Sequence, residues 1–352
     1  MELSAGKLIN LARLADGAGR FFMLAVDQRG SLRQMLARAA GRPPAEVSGA
    51  DMAAVKARLT RVLAPHATAV LTDPIYGFPY SATLVPGHVG LLLAVEEAYD
   101  EQEGSGERRT RLLDGWSVQK VKRAGGNAVK LILYYHPDAS AQTRRHQQEV
   151  ARSAGDACAA EDLPYLLEVV IYPLGGQKAD DPDYARARPD LTLRTVQEFS
   201  RHEYRVDLLK LEFPADLRYT REFSGGAFDG RTRPPVYDLS AVRVACRHLD
   251  EAAAAPWVVL SAGVGIAEFL VQAEIACAAG ASGFLCGRAI WQDALGAYPD
   301  MAEVEARLAA DGVHNLERSK AAAGRAVAWH THRRFEGQIE LAGAGLDWYR
   351  RY

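Results

Sequence analysis

Eight short apolar runs punctuate the chain, at residues 22–26, 69–72, 90–95, 128–133, 165–171, 206–213, 257–260 and 283–286. Most are rich in Val, Leu and Ile and nearly continuously apolar, the pattern of strands buried on both faces. Between most of them, apolar positions recur at helical spacing. Residues 51–62 carry Met52, Val55, Leu59 and Val62, residues 117–124 form a short amphipathic segment, and residues 142–161 are polar and Ala-rich. Residues 191–200, 239–254 and 266–279 continue the alternation. Repeated strand–helix alternation predicts a parallel α/β sheet, and eight strands predict closure into a (β/α)8 barrel. Residues 174–189 and 219–235 are rich in Gly, Asp, Arg and Pro and read as long loops following strands, on the face where barrel active sites form. Helices are expected over 301–310 and 315–330, followed by a tail to Tyr352. The chain thus reads as a barrel over residues 1–300 and a C-terminal helical extension over 301–352, packed on the barrel or at an interface.

Composition narrows the functional classes. The 352 residues suit one barrel with insertions, and 48% apolar residues supply a large core. A net charge of −2 without a basic run gives nucleic-acid binding no electrostatic support. No stretch reaches the length of about 18 apolar residues that a membrane span needs. Cys158, Cys246, Cys277 and Cys286 lie far apart with no C-x-x-C, as expected of reduced thiols in a cytoplasmic protein. The first residues, Met-Glu-Leu-Ser-Ala-Gly-Lys, lack the apolar core of a signal peptide.

Three charges interrupt the strand runs: Lys130, Glu168 and Lys210, each flanked by apolar residues on both sides. A charge in a buried strand costs several kcal/mol unless it is paired or neutralised, so three on consecutive strands imply that they meet. One outcome is a structural Lys–Glu–Lys ion network. The other is carbonyl chemistry through an imine, in which one lysine loses its proton and the carboxylate shuttles it. Burial and a second ammonium nearby both favour an unprotonated amine. The pattern does not choose between the two lysines.

A second constellation is Ser261-Ala262-Gly263-Val264-Gly265 before a helix, with Gly287-Arg288 ending the next strand. Loops after strands seven and eight of such barrels often bind phosphate through backbone N–H groups and a helix N-terminus, and Arg288 adds a charge-assisted bond. The alternative is an ordinary Gly-containing turn. At the end of strand one, Asp27 is placed to pair with a site lysine and Arg29 to hold a distal anion, or the segment is a plain turn. Glu96, Glu97 and Glu212 read as solvated loop residues. His330 and His332 in the tail lack the partners of a zinc site, and several ligands converging at strand ends are not in the sequence, so no metal or other cofactor is expected.

At these residues the chain resembles the class I tagatose 1,6-bisphosphate aldolases. The matching segments are Leu24-Ala25-Val26-Asp27-Gln28-Arg29-Gly30-Ser31-Leu32, Leu71-Thr72-Asp73-Pro74-Ile75-Tyr76-Gly77, Asp114-Gly115-Trp116-Ser117-Val118, Ala128-Val129-Lys130-Leu131, Leu209-Lys210-Leu211-Glu212, Leu260-Ser261-Ala262-Gly263-Val264 and Cys286-Gly287-Arg288-Ala289. The resemblance implies reversible cleavage of a ketose bisphosphate to dihydroxyacetone phosphate and glyceraldehyde 3-phosphate. It implies a Schiff base on Lys210, proton transfer and positioning by Glu168 and Lys130, substrate contacts at Asp27 and Gln28, and phosphate loops at Ser261, Gly263, Gly287 and Arg288. It also implies a homo-oligomer. Relatives cleaving a sulfonated ketose phosphate resemble the chain around residues 256–261 and 281–285, which keeps a sulfofructose phosphate as the alternative substrate. A non-catalytic phosphosugar-binding barrel is a third reading, and a binding protein needs no nucleophile.

Overall fold

The computed structural model describes residues 2–102, 104–335 and 339–352. All eight apolar runs are strands: β1 (Phe21–Ala25), β2 (Ala69–Thr72), β3 (Gly90–Ala94), β4 (Ala128–Tyr134), β5 (Tyr165–Val170), β6 (Leu208–Glu212), β7 (Trp257–Leu260) and β8 (Gly283–Cys286). They pair in parallel, in chain order, and β8 closes on β1 from Gly283↔Phe21 to Cys286↔Leu24. Alternate strand residues face opposite ways. Met23, Ala25, Leu71, Leu92, Ala128, Leu166, Leu208, Val258 and Leu285 fill the barrel interior. Residues of the other parity, such as Leu24, Val70, Leu93, Val129, Leu167, Leu209 and Val259, pack outward against the helices.

The helices follow the expected spacing with instructive differences. Gly49–Leu63 begins two residues earlier than expected because Ser48 and Asp51 form a reciprocal capping box. Pro182–Phe199 reaches back through part of the expected loop 174–189: Pro182 starts the helix where its missing N–H costs nothing, and Tyr184 and Ala185 are buried. Pro189 lies inside that helix, against its propensity, which burial of Leu191, Val196 and Phe199 outweighs. The helix expected to reach residue 330 stops at Ala322, ahead of Gly324. Met301–Arg307 runs through a wide turn, Leu308–Gly312, directly into Val313–Ala322. Val304, Leu308 and Leu316 of these segments join the main core, so this part of the chain packs on the barrel. Residues 336–338 of the tail lie outside the described residues.

Among the elements not foreseen, three shape the two ends of the barrel. Ala5–Leu14 seals the N-terminal end of the barrel with Leu11 and Leu14, beside Trp329 and Phe335. Gly30–Ala39 follows β1 directly. An antiparallel hairpin, Glu96–Glu101 with Arg108–Leu112, rises from the end of β3, and the Arg108 guanidinium lies 4.6–5.4 Å from the rings of Tyr99, Tyr172 and Tyr134. The two long loops are tied together, since Arg233 pairs with Asp229 at 2.7 Å and reaches Asp180 at 3.2 Å.

A wholly buried ion pair braces the wall between β1 and β2. Lys56 occupies the apolar stripe of its helix, four residues after Met52, and its ammonium meets Asp73 and donates to Val26 O at 2.7 Å. Asp73 also accepts from the N–H groups of Ile75 and Tyr76 at 2.9 and 2.8 Å. Removing one partner of a buried pair strands the other charge, at about 3–5 kcal/mol. Asp73→Ala is therefore expected to lower the urea midpoint by that equivalent, and adding Lys56→Met to recover part of it. A single variant as stable as the parent would refute the bracing role.

Candidate active site

The interior parity of the strands delivers the charges. On β4, Ala128 is inward and Lys130 follows two residues later. On β6, Lys210 follows inward Leu208, and on β5, Glu168 follows inward Leu166. Continuing β1 past Ala25 brings in Asp27, and continuing β3 past Leu92 and Ala94 brings in Glu96. The Lys130 ammonium sits 2.7 Å from Glu96, 2.8 Å from Asp27 and 3.1 Å from Glu168. Lys210 Nζ lies 2.8 Å from Glu168 Oε2, the one carboxylate within 4 Å of it among the described residues. Lys130, Glu168 and Lys210 are 2%, 6% and 4% exposed, so water screens these contacts little.

The electrostatics of the two lysines differ. Burial opposes charge on Lys130, yet Asp27, Glu168 and Glu96 together raise its pKa well above the ordinary lysine value. The expectation that burial and a neighbouring ammonium favour an unprotonated amine is reversed for this residue, because three carboxylates outweigh both. Burial also acts on Asp27, but the ammoniums of Lys130 and Lys210 hold its carboxyl well below the usual range. Glu96 goes the other way: burial raises its pKa, and Lys130 only partly offsets this. Burial, with the Glu168 charge, pushes Tyr134 up to about 12, so it remains a hydroxyl donor.

These groups line a cleft of about 440 Å³ at the C-terminal ends of the strands, within the size range of small-molecule sites. Gln28, Arg29, Tyr99, Tyr134 and Arg288 share its wall. Arg29 donates to Glu96 O at 2.6 Å through Nη2, while its buried Nη1 and Gln28 Oε1 have no hydrogen-bond partner among the described residues. Gly263, at φ +85°, leaves room that a Cβ would take 2.8 Å from the Arg288 guanidinium. A Cβ on Gly287 would fall 2.4 Å from Ala25 O and 2.9 Å from Gln28 Nε2. Gly265 precedes the helix Ile266–Ala279, which no side chain among the described residues caps, so its first N–H groups can face an anion, whereas after Gly287 the Ala289 N–H reaches Cys286 and Ile290 N donates to Gly287 O. Ser261 is buried, with its side chain against Cys286.

Two expectations are corrected. Glu96 is a buried partner of Lys130, not a solvated loop residue, because it continues the inward parity of β3. Glu97, of the opposite parity, pairs on the surface with Arg111. Extending the two-residue period from Leu92 would have found Glu96. Glu212 is likewise buried, accepting from Ile171 N at 2.8 Å and 3.7 Å from Arg188, which the long helix Pro182–Phe199 presents. His136 is buried beyond β4, and its Nδ1 accepts from Asp138 N.

The ion cluster has a stability signature. Lys130, with its raised pKa, contributes stability that is present below the unfolded lysine value and fades only at higher pH. Lys130→Met leaves Asp27, Glu96 and Glu168 facing one another, so the folded state then binds more protons than the unfolded chain near neutrality. Its unfolding free energy is expected to rise as pH falls from about 7.5 to about 5.5, by at least roughly 1 kcal/mol. The parent chain keeps Asp27 held low, so its own gain over that range, from carboxyls such as Glu268 that burial raises in both proteins, should be smaller. Parallel urea titrations at the two pH values test this, and identical pH slopes would refute it.

Comparison with known proteins agrees with this architecture. A family profile described as DeoC/LacD family aldolase matches residues 21–293. The tagatose 1,6-diphosphate aldolase of Streptococcus pneumoniae is 33% identical over 335 residues, covering 94% of this chain and 99% of that one. The protein of the same name from Lactococcus lactis is 32% identical over 322 residues, covering 90% and 95%. Among solved structures, fructose-bisphosphate aldolase from Plasmodium falciparum superposes with a TM-score of 0.64 at 14% identity, covering 93% of this chain and 98% of that one. A Schiff-base-forming fructose-1,6-bisphosphate aldolase superposes with a TM-score of 0.52 at 17% identity, covering 85% and 96%. With its barrel matched from β1 through β8, the chain belongs to the DeoC/LacD family of aldolases.

Proposed function

We propose that this chain is a class I aldolase that cleaves tagatose 1,6-bisphosphate, and accepts fructose 1,6-bisphosphate, through a Schiff base on Lys210. The observation that carries the assignment is the unequal division of carboxylates. Lys130 has three within 3.1 Å and stays an ammonium, whereas Lys210 has one, Glu168, placed to take its proton. The names of the relatives at 32–33% identity supply the substrate class.

In this reading Glu168 takes the Lys210 proton, the amine adds to the ketose carbonyl, and the carbinolamine loses water to give an iminium ion as Glu168 returns that proton to the departing hydroxyl. Glu168 then removes the proton from the C4 hydroxyl. The C3–C4 bond breaks and its electron pair enters the iminium, leaving an enamine on Lys210 and releasing glyceraldehyde 3-phosphate. Protonation at C3 and hydrolysis release dihydroxyacetone phosphate and restore Lys210. Lys130, 3.1 Å away, holds Glu168 in place. Asp27 and Gln28 contact substrate hydroxyls. One phosphate sits at Ser261, Gly263, Gly287 and Arg288, where the N-terminus of the helix Ile266–Ala279 meets a guanidinium that has no carboxylate partner among the described residues. Arg29, with its buried Nη1, takes the distal anion. The proposal includes a homo-oligomer, to be measured by light scattering, and a cytoplasmic setting, with which four buried free thiols accord. No helix among the described residues is long and apolar enough to cross a membrane.

Incubation with dihydroxyacetone phosphate and borohydride, followed by peptide mapping, is expected to place a covalent adduct on Lys210, with activity unaffected by EDTA. An adduct on Lys130 would reverse the roles, and no adduct together with EDTA inhibition would remove the Schiff-base mechanism. Glu168→Gln should reduce kcat roughly 100- to 10,000-fold, as loss of a general acid–base does. A kcat/KM higher for a sulfofructose phosphate than for either bisphosphate would displace the first-choice substrate. Gly263→Val should raise KM for phosphorylated substrates far more than it lowers kcat, because the added side chain displaces Arg288.

A further inference from the structure

We infer that Tyr134 is a specificity-determining residue whose hydroxyl donates a hydrogen bond to the aldehyde half of the substrate, with Arg108 as the positioning residue behind its ring; the inference rests on the aldolase reading of the cleft. Strand order sets the direction. In a closed sheet of eight strands paired in chain order, β4 lies across the mouth from β8. A substrate with its near phosphate at the loops after β7 and β8 and its carbonyl on Lys210 of β6 has the rest of the cleft, toward β1, β3 and β4, for its other half. Arg29, proposed above for the distal anion, reaches the same side, since its Nη2 donates to Glu96 O at the end of β3.

On β4 the inward parity that carries Lys130 continues through Ile132 to Tyr134, two steps of the pleat nearer the rim, and all three line the cleft. The Tyr134 ring is half-buried, and its hydroxyl forms no hydrogen bond among the described residues. Burial and the nearby Glu168 charge keep it protonated throughout the neutral range, so it can donate. A polar atom in a cleft wall with no protein partner is one that a bound molecule satisfies. A site built to hydrogen-bond a substrate oxygen rejects analogues that lack it, which makes such a contact a means of selection.

The hairpin holds this ring in place. Its first strand delivers Tyr99 to the cleft, with its ring centroid 4.4 Å from that of Tyr134 and the two planes tilted by 55°. Its second strand delivers Arg108, whose guanidinium lies 5.4 Å from the Tyr134 ring, 4.6 Å from Tyr99 and 5.0 Å from Tyr172. Arg108 has no carboxylate at ion-pair distance among the described residues, and its buried Nε has no hydrogen-bond partner among them. The cation is therefore held by ring faces, and in return it fixes the rings. The Arg108 N–H donates to the Tyr172 hydroxyl at 3.1 Å, which ties the same strand to the end of β5. The hairpin is an addition to the plain strand–helix unit, so selection of the aldehyde half is built on it while the strands carry the chemistry at Lys210.

Two reactions separate the halves of the substrate. Cleavage of tagatose 1,6-bisphosphate needs both, whereas borohydride trapping of dihydroxyacetone phosphate on Lys210 involves only the half without the aldehyde. Tyr134→Phe removes one oxygen and keeps the ring among its neighbours, so its melting temperature should match the parent's. It is expected to lower kcat/KM for cleavage roughly 10- to 100-fold and to leave the trapping rate within about twofold. Arg108→Met should lower kcat/KM for cleavage roughly three- to tenfold in the parent and cost nothing further in Tyr134→Phe, and Arg108→Lys, which keeps a cation among the rings, should recover most of that loss. Equal losses in cleavage and in trapping would place Tyr134 at the Lys210 chemistry and overturn the inference, as would cleavage at the parental rate. An Arg108→Met cost that is the same in both backgrounds overturns the positioning role. Absence of any trapped adduct in the parent would instead defeat the Schiff-base reading itself. Calorimetry with tagatose 1,6-bisphosphate then judges Tyr134, and a Kd equal in the parent and in Tyr134→Phe overturns its role.

Discussion

A single ammonium, that of Lys130, has three carboxylates packed around it inside the mouth of the barrel. Coulomb attraction at these distances is large where water is excluded, and so is the desolvation cost it must offset. The balance holds because the carboxylates arrive from three directions, on the ends of β1 and β3 and from within β5, and none can withdraw without stranding charge. The strand ends are thereby held in a fixed arrangement. Lys210, Gln28, Arg29 and Arg288 all take their positions from that arrangement.

The cluster also separates two lysines that look alike in sequence. Both sit in apolar strands, and both meet Glu168. One is surrounded by three carboxylates and the other has a single carboxylate partner among the described residues, and on that difference the proposed division of chemistry rests. The same logic divides Asp27 from Glu96. Catalytic pKa values arise here from how charges are shared among neighbours, with burial as a common background. Lys56 and Asp73 show the contrasting case: a wholly buried pair that does not line the cleft and braces the wall behind Asp27.

The chemistry is housed on rigid elements. Reactive side chains come from strands locked in a closed sheet, and the more variable segments lie around the rim. The hairpin 96–112 is anchored by Glu107, which accepts from Ser140 and Thr143 at the start of the helix Ala141–Ala160, and by Arg108 against three tyrosine rings. The loops near 180 and 230 are joined by Arg233 to Asp180. Fixed walls of this kind reduce the entropy that substrate binding has to overcome.

The amino-acid sequence by itself determined the barrel. Strands buried on both faces must be continuously apolar, so eight of them stand out with boundaries within two residues, and charges that break such runs mark the site. Lys130, Glu168 and Lys210 were legible for that reason, while Asp27 and the glycines beside Arg288 were legible only as residues at strand ends. Glu96 was not, because it lies past the end of its apolar run, where composition resembles a loop and only the two-residue period carries it inward. Lys56 was hidden by being a polar residue in a helix, where exposure is the usual outcome. Helix limits at Pro182 and Ala322 depended on burial of Tyr184 and on the packing of the C-terminal segments, which are long-range facts. Above all, the division of carboxylates between the two lysines was decided by the tertiary structure alone. It depends on which strand ends converge in space, and neighbours along the chain carry no record of that.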